Sequence, residues 1–91
     1  MAIGVYFPFP SLSTDQYEQV TRKLEAAGEG SPPGRSYHCS LSGGSGLHVF
    51  DVWDSQATFD RFGETLMPML AEVGVTPAEP QIAQVHNVIV G

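Results

Sequence analysis

Residues 35–53, RSYHCSLSGGSGLHVFDVW, decide the fold because they indicate two β-strands joined by a glycine-rich turn. The flanking runs, Arg35–Leu41 and Leu47–Trp53, contain β-branched and aromatic residues, and SGGSG at Ser42–Gly46 separates them. Loops of three to five residues that contain glycine are typical of β-hairpins. The stretch therefore predicts a hairpin in the middle of the chain.

A strand and a helix are predicted before this hairpin. Ala2–Phe9 places apolar residues in one phase, and Pro8 marks its end or a sheet edge because proline has no N–H for a ladder. Ser13, with Gln16 three residues later, has the pattern of a capping box and predicts a helix over Thr14–Ala27. The buried stripe of this helix is expected to consist of Tyr17, Val20, Leu24 and Ala27.

A second helix and a last strand are predicted after the hairpin. Asp54 or Ser55 caps the helix, and Pro68 lies inside its apolar pattern, so we expect a kink or a break into two pieces there. A loop at Val75–Pro80 then leads to a strand at Gln81–Val90.

The resulting element order, β-α-β-β-α-β, predicts one α+β domain over residues 1–91. It is the ferredoxin-like layout, in which a four-stranded antiparallel sheet carries two helices on one face. The other face of such a sheet is polar when it meets water. Here the strands place large apolar side chains in both phases, such as Val49 and Trp53 against Phe50 and Val52. We therefore expect a second copy of the chain to cover this open face in a homodimer.

Charge and cysteine content exclude several classes of partner. The chain has 10 acidic residues against 4 basic ones and a net charge of −6, so it lacks the basic patch that nucleic acids require. No apolar run is long enough for a transmembrane helix. Cys39 is the only cysteine, and Met1–Phe9 lacks the basic start of a secretory signal. We expect a cytoplasmic protein that binds neither nucleic acid nor membranes.

One segment resembles a known group of proteins. The run DVWDSQATFDRF at residues 51–62, followed by Leu66, Pro68 and Leu70, is similar to the strand-to-helix segment of the dimeric α+β barrel superfamily, and more narrowly of its antibiotic-biosynthesis-monooxygenase-like branch. The resemblance implies two four-stranded sheets packed face to face. Members of the group include cofactor-independent oxygenases that act on aromatic polyketides, and haem-degrading oxygenases.

The haem-degrading members pair a strand tryptophan with a histidine in the following helix. Trp53 matches that tryptophan, but Asp54–Gly74 contains no histidine, and Ala2–Phe9 lacks the asparagine of their first strand. The resemblance therefore favours an activity without haem, and we expect no cofactor.

The three histidines all fall on predicted strands. If Leu41 lies opposite Leu47, then His38 and His48 share one face of the hairpin, and His86 of the last strand completes a cluster if it lies on that face. Such a cluster could supply a general base or a metal site. The alternative is a set of half-buried imidazoles with ordinary hydrogen bonds. No tight zinc-ligand spacing such as HxxxH occurs, so no metal is predicted.

Asp51 lies in the otherwise apolar strand LHVFDVW, where an unpaired buried carboxylate would cost several kcal/mol. Pairing with Tyr37 or Arg35 across the hairpin would make it structural. Pairing with His38 or His86 would instead orient an imidazole as a base. The catalytic candidates are therefore His38, His86 and Asp51.

Several aromatic residues are candidates for binding a flat apolar ligand, although ordinary core packing is the alternative for each. They are Trp53, Tyr37, Phe50, Phe62 and Tyr6. The leading hypothesis is a cofactor-independent, monooxygenase-like enzyme acting on an aromatic or polyketide-like small molecule. The alternative is a non-catalytic ligand-binding or structural homodimer.

Overall fold

The computed structural model of the protein describes residues 1–43, 46–76 and 79–91. Within these ranges the elements follow the predicted order. They are β1 (Ile3–Phe9), α1 (Thr14–Ala26), β2 (Arg35–Ser42), β3 (Leu47–Trp53), α2 (Gln56–Glu72) and β4 (Gln81–Gln84). The predicted loops at 42–46 and 75–80 each include two residues outside the described ranges.

The strands form one antiparallel sheet in the order β2-β3-β1-β4, which confirms the ferredoxin-like α+β fold. Burial alternates along the two central strands, as expected when one sheet face is covered by helices. Val5 and Trp53 are fully buried on the covered face. The core between this face and the helices also contains Phe7, Val49, Val20, Leu24, Phe59, Phe62 and Leu70.

The opposite face of the sheet, called the open face below, carries apolar side chains that remain partly exposed. Tyr37 and Leu41 on β2 are 55% and 56% exposed, and Phe50 on β3 is 37% exposed. Within the described residues, the helices therefore cover one face of the sheet and leave the open face without a covering layer.

The hairpin has a different register from the predicted one. Ser42 pairs with Leu47, and Leu41 pairs with His48, so the strands are shifted by one residue. Because side chains alternate between faces, a shift of one residue moves a whole set of side chains to the other face. The prediction that His38 and His48 share a face was wrong: His38 pairs with Asp51 on the covered face, and His48 lies on the open face.

The last strand is much shorter than predicted and ends at Gln84 rather than Val90. Its register places Gln84 opposite Ile3, and the backbone N–H of Val85 donates to the carbonyl oxygen of Ala2 at 2.9 Å. Because β1 begins at Ile3, the strand pairing between β1 and β4 ends there. Residues 86–91 therefore extend past the sheet, and their apolar side chains are exposed.

The helices begin where their caps predict. Ser13 and Gln16 form both hydrogen bonds of a capping box, and Ser55 is the N-cap of α2. Helix α2 continues through Pro68 to Glu72, so the break into two pieces that we considered does not occur. In the described part of the chain, no helix is both long enough and apolar enough to cross a membrane.

Candidate functional site

A cavity of about 220 Å³ lies between the covered face of the sheet and the helices. Most of its wall is apolar, with side chains such as Phe7, Phe62 and Leu66. Its polar wall is formed mainly by Tyr17, Thr21, Arg35, His38 and Asp51. An apolar cavity with a few converging polar groups is the usual form of a small-molecule site.

Three of these polar side chains form a continuous hydrogen-bonded chain. His38 Nδ1 lies 2.5 Å from Asp51 Oδ1, and His38 Nε2 lies 2.7 Å from the Tyr17 hydroxyl oxygen. The rings of Tyr17 and His38 are nearly parallel, with centroids 6.1 Å apart. Carboxylate, imidazole and phenol are thus joined in one line at the cavity wall.

Strands β2 and β3 and helix α1 hold the three hydrogen-bonded side chains. His38 and Asp51 are direct partners in the β2–β3 pairing, so sheet register alone brings their side chains together. Tyr17 comes from α1, one turn before the buried Val20 that anchors this helix on the sheet. Each contact therefore depends on regular secondary structure rather than on a loop.

Burial and hydrogen bonding define what His38 can do. Asp51 is only 4% exposed, and the His38 side chain is 27% exposed. An ionised carboxylate only accepts hydrogen bonds, so His38 Nδ1 carries the proton that it shares with Asp51. His38 Nε2 then has a free electron pair and accepts the hydrogen bond of the Tyr17 hydroxyl. The arrangement is that of a base oriented by a carboxylate.

Asp51 meets one of the two histidines that the sequence indicates as possible partners. Its carboxylate meets His38 and not Tyr37 or Arg35, the structural alternatives across the hairpin. Tyr37 lies on the open face, where it packs edge-on against Phe50 with ring centroids 6.4 Å apart.

The predicted aromatic ligand-binding residues do not form one group. Phe62 lines the cavity. Trp53 is fully buried in the core, where its ring packs against Phe59 and Phe62. The Trp53 Nε1–H has no hydrogen-bond partner among the described residues.

Tyr6 belongs to a second tyrosine–histidine pair on the open face. Its hydroxyl lies 2.5 Å from His48 Nδ1, and the two rings stack with centroids 5.9 Å apart. This pair resembles Tyr17–His38 but has no carboxylate bonded to its imidazole among the described residues. It lies on the opposite side of the sheet from the cavity.

His86 is not brought to the cavity. It lies in the exposed segment after β4, whereas His38 lies on β2. These two strands are the opposite edges of the sheet, three strand spacings or about 14 Å apart. Within one chain the imidazole–carboxylate pair is therefore His38 with Asp51, without His86.

Sequence reasoning missed two residues of the site. The helical spacing assigns Tyr17 only to an apolar stripe, although a buried tyrosine hydroxyl needs a hydrogen-bond partner and so indicates a polar neighbour. Arg35 was considered only as a partner for Asp51, but it lines the cavity separately. The described residues contain no cluster of three or more His, Cys, Asp or Glu side chains suited to a metal ion.

Comparisons with known proteins support the fold but not an activity. No protein-family model matches the sequence, and no curated protein is significantly similar to it. Solved structures do match over nearly the whole chain. SnoaB, a cofactor-independent oxygenase from Streptomyces nogalater, is 18% identical with a TM-score of 0.61, and the match covers 97% of this chain and 94% of SnoaB.

Two further structures superpose with a TM-score of 0.66 each. One is a candidate antibiotic biosynthesis monooxygenase from Chloroflexus aurantiacus, 14% identical over 100% of both chains. The other is Rv0793 from Mycobacterium tuberculosis, 17% identical over 99% of this chain and 100% of that one. The chain therefore shares the ferredoxin-like fold of antibiotic-biosynthesis-monooxygenase-like proteins, as its Asp51–Leu70 segment led us to expect.

Proposed function

We propose that the protein is a cofactor-independent, monooxygenase-like enzyme that acts on a hydroxylated aromatic or polyketide-like small molecule. The observation that carries the proposal is the Asp51–His38–Tyr17 chain in the wall of an apolar cavity. An aromatic ring fits the apolar wall, and an acidic phenol or enol is the group that such a base would deprotonate.

Deprotonation prepares the substrate for oxygen. The substrate hydroxyl donates a hydrogen bond to the Tyr17 oxygen, the Tyr17 proton passes to His38 Nε2, and Tyr17 takes the substrate proton. The buried Asp51 carboxylate stabilises the imidazolium that forms, because opposite charges interact more strongly away from water.

The ring anion then supplies the electrons that dioxygen needs. It transfers one electron to dioxygen, the two radicals combine through a new carbon–oxygen bond, and the resulting peroxide loses water. For the probe 1,4-dihydroxynaphthalene the balance is C₁₀H₈O₂ + O₂ → C₁₀H₆O₃ + H₂O, with 2-hydroxy-1,4-naphthoquinone as product. The substrate is oxidised and dioxygen is reduced.

The test is the turnover of this probe under ¹⁸O₂. The wild-type protein is expected to form singly ¹⁸O-labelled product faster than buffer alone, and Tyr17→Phe and His38→Leu are expected to lower kcat at least ~100-fold, the usual contribution of a positioned acid or base. Tyr6→Phe is the matched control because the Tyr6 hydroxyl also bonds a histidine, His48, but outside the cavity. A wild-type rate equal to the buffer rate would overturn the proposal.

One observation favours the alternative, a non-catalytic ligand-binding protein. The Tyr17 hydroxyl already donates a hydrogen bond to His38 Nε2, so both ring nitrogens of His38 have partners without a substrate. Under this alternative the probe binds but is not consumed, and Tyr17→Phe changes its Kd without any effect on an oxidation rate.

We also propose that the protein acts as a homodimer joined through the open face. Tyr37, Leu41 and Phe50 would be covered by the same face of a second copy. The exposed tail residues Val88, Ile89 and Val90, between 59% and 92% exposed, add apolar surface that a second copy would bury.

A further inference from the structure

Arg35 is a charged group at the cavity wall that the proposed chemistry does not use. It begins β2, three residues before His38, and its side chain lines the same cavity. Arg35 is half-buried, so its guanidinium can meet both the cavity and solvent. The described residues 1–43, 46–76 and 79–91 contain no ion pair between the Arg35 guanidinium and a carboxylate.

The guanidinium is held in place by neutral groups instead. One of its nitrogens donates to the carbonyl oxygen of Gly30 at 2.9 Å, and its central carbon lies 5.9 Å from the centroid of the Phe62 ring. Both neighbours also line the cavity. A guanidinium has five N–H donors, and only one is used in the described contacts, so a planar pair of donors remains for an anion.

The backbone at this position is fixed. Gly34, directly before Arg35, has a φ of 92°, and its carbonyl oxygen accepts the N–H of Asp54 at 2.8 Å. A side chain at position 34 would lie 2.6 Å from Thr58. This packing sets where β2 starts and hence where the Arg35 side chain leaves the strand.

The cavity wall therefore carries two separate polar groups among apolar side chains, the Arg35 guanidinium and the Tyr17–His38 pair. Arg35 pairs with Trp53 and His38 pairs with Asp51, two positions apart on β3, which corresponds to about 7 Å along the strand. A ligand that meets both Arg35 and the Tyr17–His38 pair must carry an anion and a hydroxyl on opposite sides of an apolar body.

The cavity volume limits the size of that body. A protein cavity of about 150 Å³ holds one benzene molecule. At about 220 Å³, this cavity has room for one ring or two fused rings but is small for three or four. The two polar groups and the cavity volume together indicate a ligand of one or two rings that carries both an anion and a hydroxyl.

We infer that the cavity binds a small aromatic hydroxy acid, with its carboxylate on Arg35 and its hydroxyl on Tyr17 and His38. The inference rests on the proposed function in that both place the ligand hydroxyl at the same two residues. Arg35 is then the residue that selects anionic over neutral ligands, because a guanidinium pairs with a carboxylate through two parallel hydrogen bonds.

The test compares two probes with the same ring system, 6-hydroxy-2-naphthoate and 2-naphthol, by calorimetry without oxygen. Wild-type protein is expected to bind the carboxylate probe at least ~10-fold more tightly, a typical gain from a charge-assisted pair. Arg35→Met is expected to reduce this ratio to about one while the Kd of 2-naphthol stays unchanged, which also shows that the variant is folded.

Arg61→Met is the matched control, because Arg61 lies outside this cavity and its loss changes the net charge equally. It should leave the ratio as in wild type. Equal binding of both probes by wild type would overturn the inference, as would an equal effect of the two arginine variants. The measurement involves no turnover, so a failed oxygenation assay and a failed binding preference remain separate results.

Discussion

Replacing His38 by leucine tests whether the Asp51 carboxylate depends on its partner. Asp51 is 4% exposed and accepts one hydrogen bond from another side chain, that of His38. Breaking a buried charged pair by removing one member typically costs about 3–5 kcal/mol. Because the His38 side chain is 27% exposed and water can reach it, we expect the lower end, about 3 kcal/mol.

The double variant His38→Leu/Asp51→Leu separates pairing from packing. It leaves no buried charge, and position 51 faces Val5 on the apolar side of the sheet. Its stability is therefore expected to lie about 2 kcal/mol above that of His38→Leu alone. Urea unfolding at one fixed protein concentration measures both values. A double variant no more stable than His38→Leu would refute the reasoning, since the carboxylate would then not need its partner.

Three further substitutions test the core, the open face and α2. Trp53→Phe removes ring volume but no hydrogen bond made within the described residues. Urea unfolding should therefore show a loss of about 2 kcal/mol in unfolding free energy, less than the ~3–5 kcal/mol expected for Trp53→Ala. Equal losses for the two variants would contradict this. Phe50→Lys is expected to halve the mass found by sedimentation. Met67→Lys on α2, where the side chain is similarly exposed, should leave the mass unchanged. A dimer in both variants would exclude the open face as the dimer interface. Pro68→Ala restores a backbone donor inside α2 and should raise the unfolding free energy by about 1–2 kcal/mol. A lower unfolding free energy would contradict the view that proline weakens this helix.

The order of elements could be predicted because each boundary has a local cause. The capping box at Ser13 and Gln16 and the hairpin strands follow from patterns of a few residues. The extent of β4 could not be predicted from its own residues. It depends on the partner strand, because β1 begins at Ile3 and Ile3 lies opposite Gln84.

The site was only half predictable, for a similar reason. Asp51 stood out as a carboxylate in an apolar strand, which indicated a partner. Which histidine would meet it depended on the hairpin register, which runs unbroken from Ser42–Leu47 to Tyr37–Val52 and differs by one residue from the predicted one. Tyr17 approaches from a helix, and contacts between helix and sheet leave no periodic signal in the sequence.

The chain itself offers the most direct test, because its three histidines lie in three different places. His38 lines the cavity, His48 lies on the open face, and His86 lies on the tail after β4. The measurement is the ¹⁵N NMR spectrum of the histidine side chains during titration with 2-naphthol. The account predicts that the Nε2 signal of His38 shifts to saturation while the signals of His48 and His86 stay in place. An unchanged His38 signal with bound 2-naphthol would contradict it.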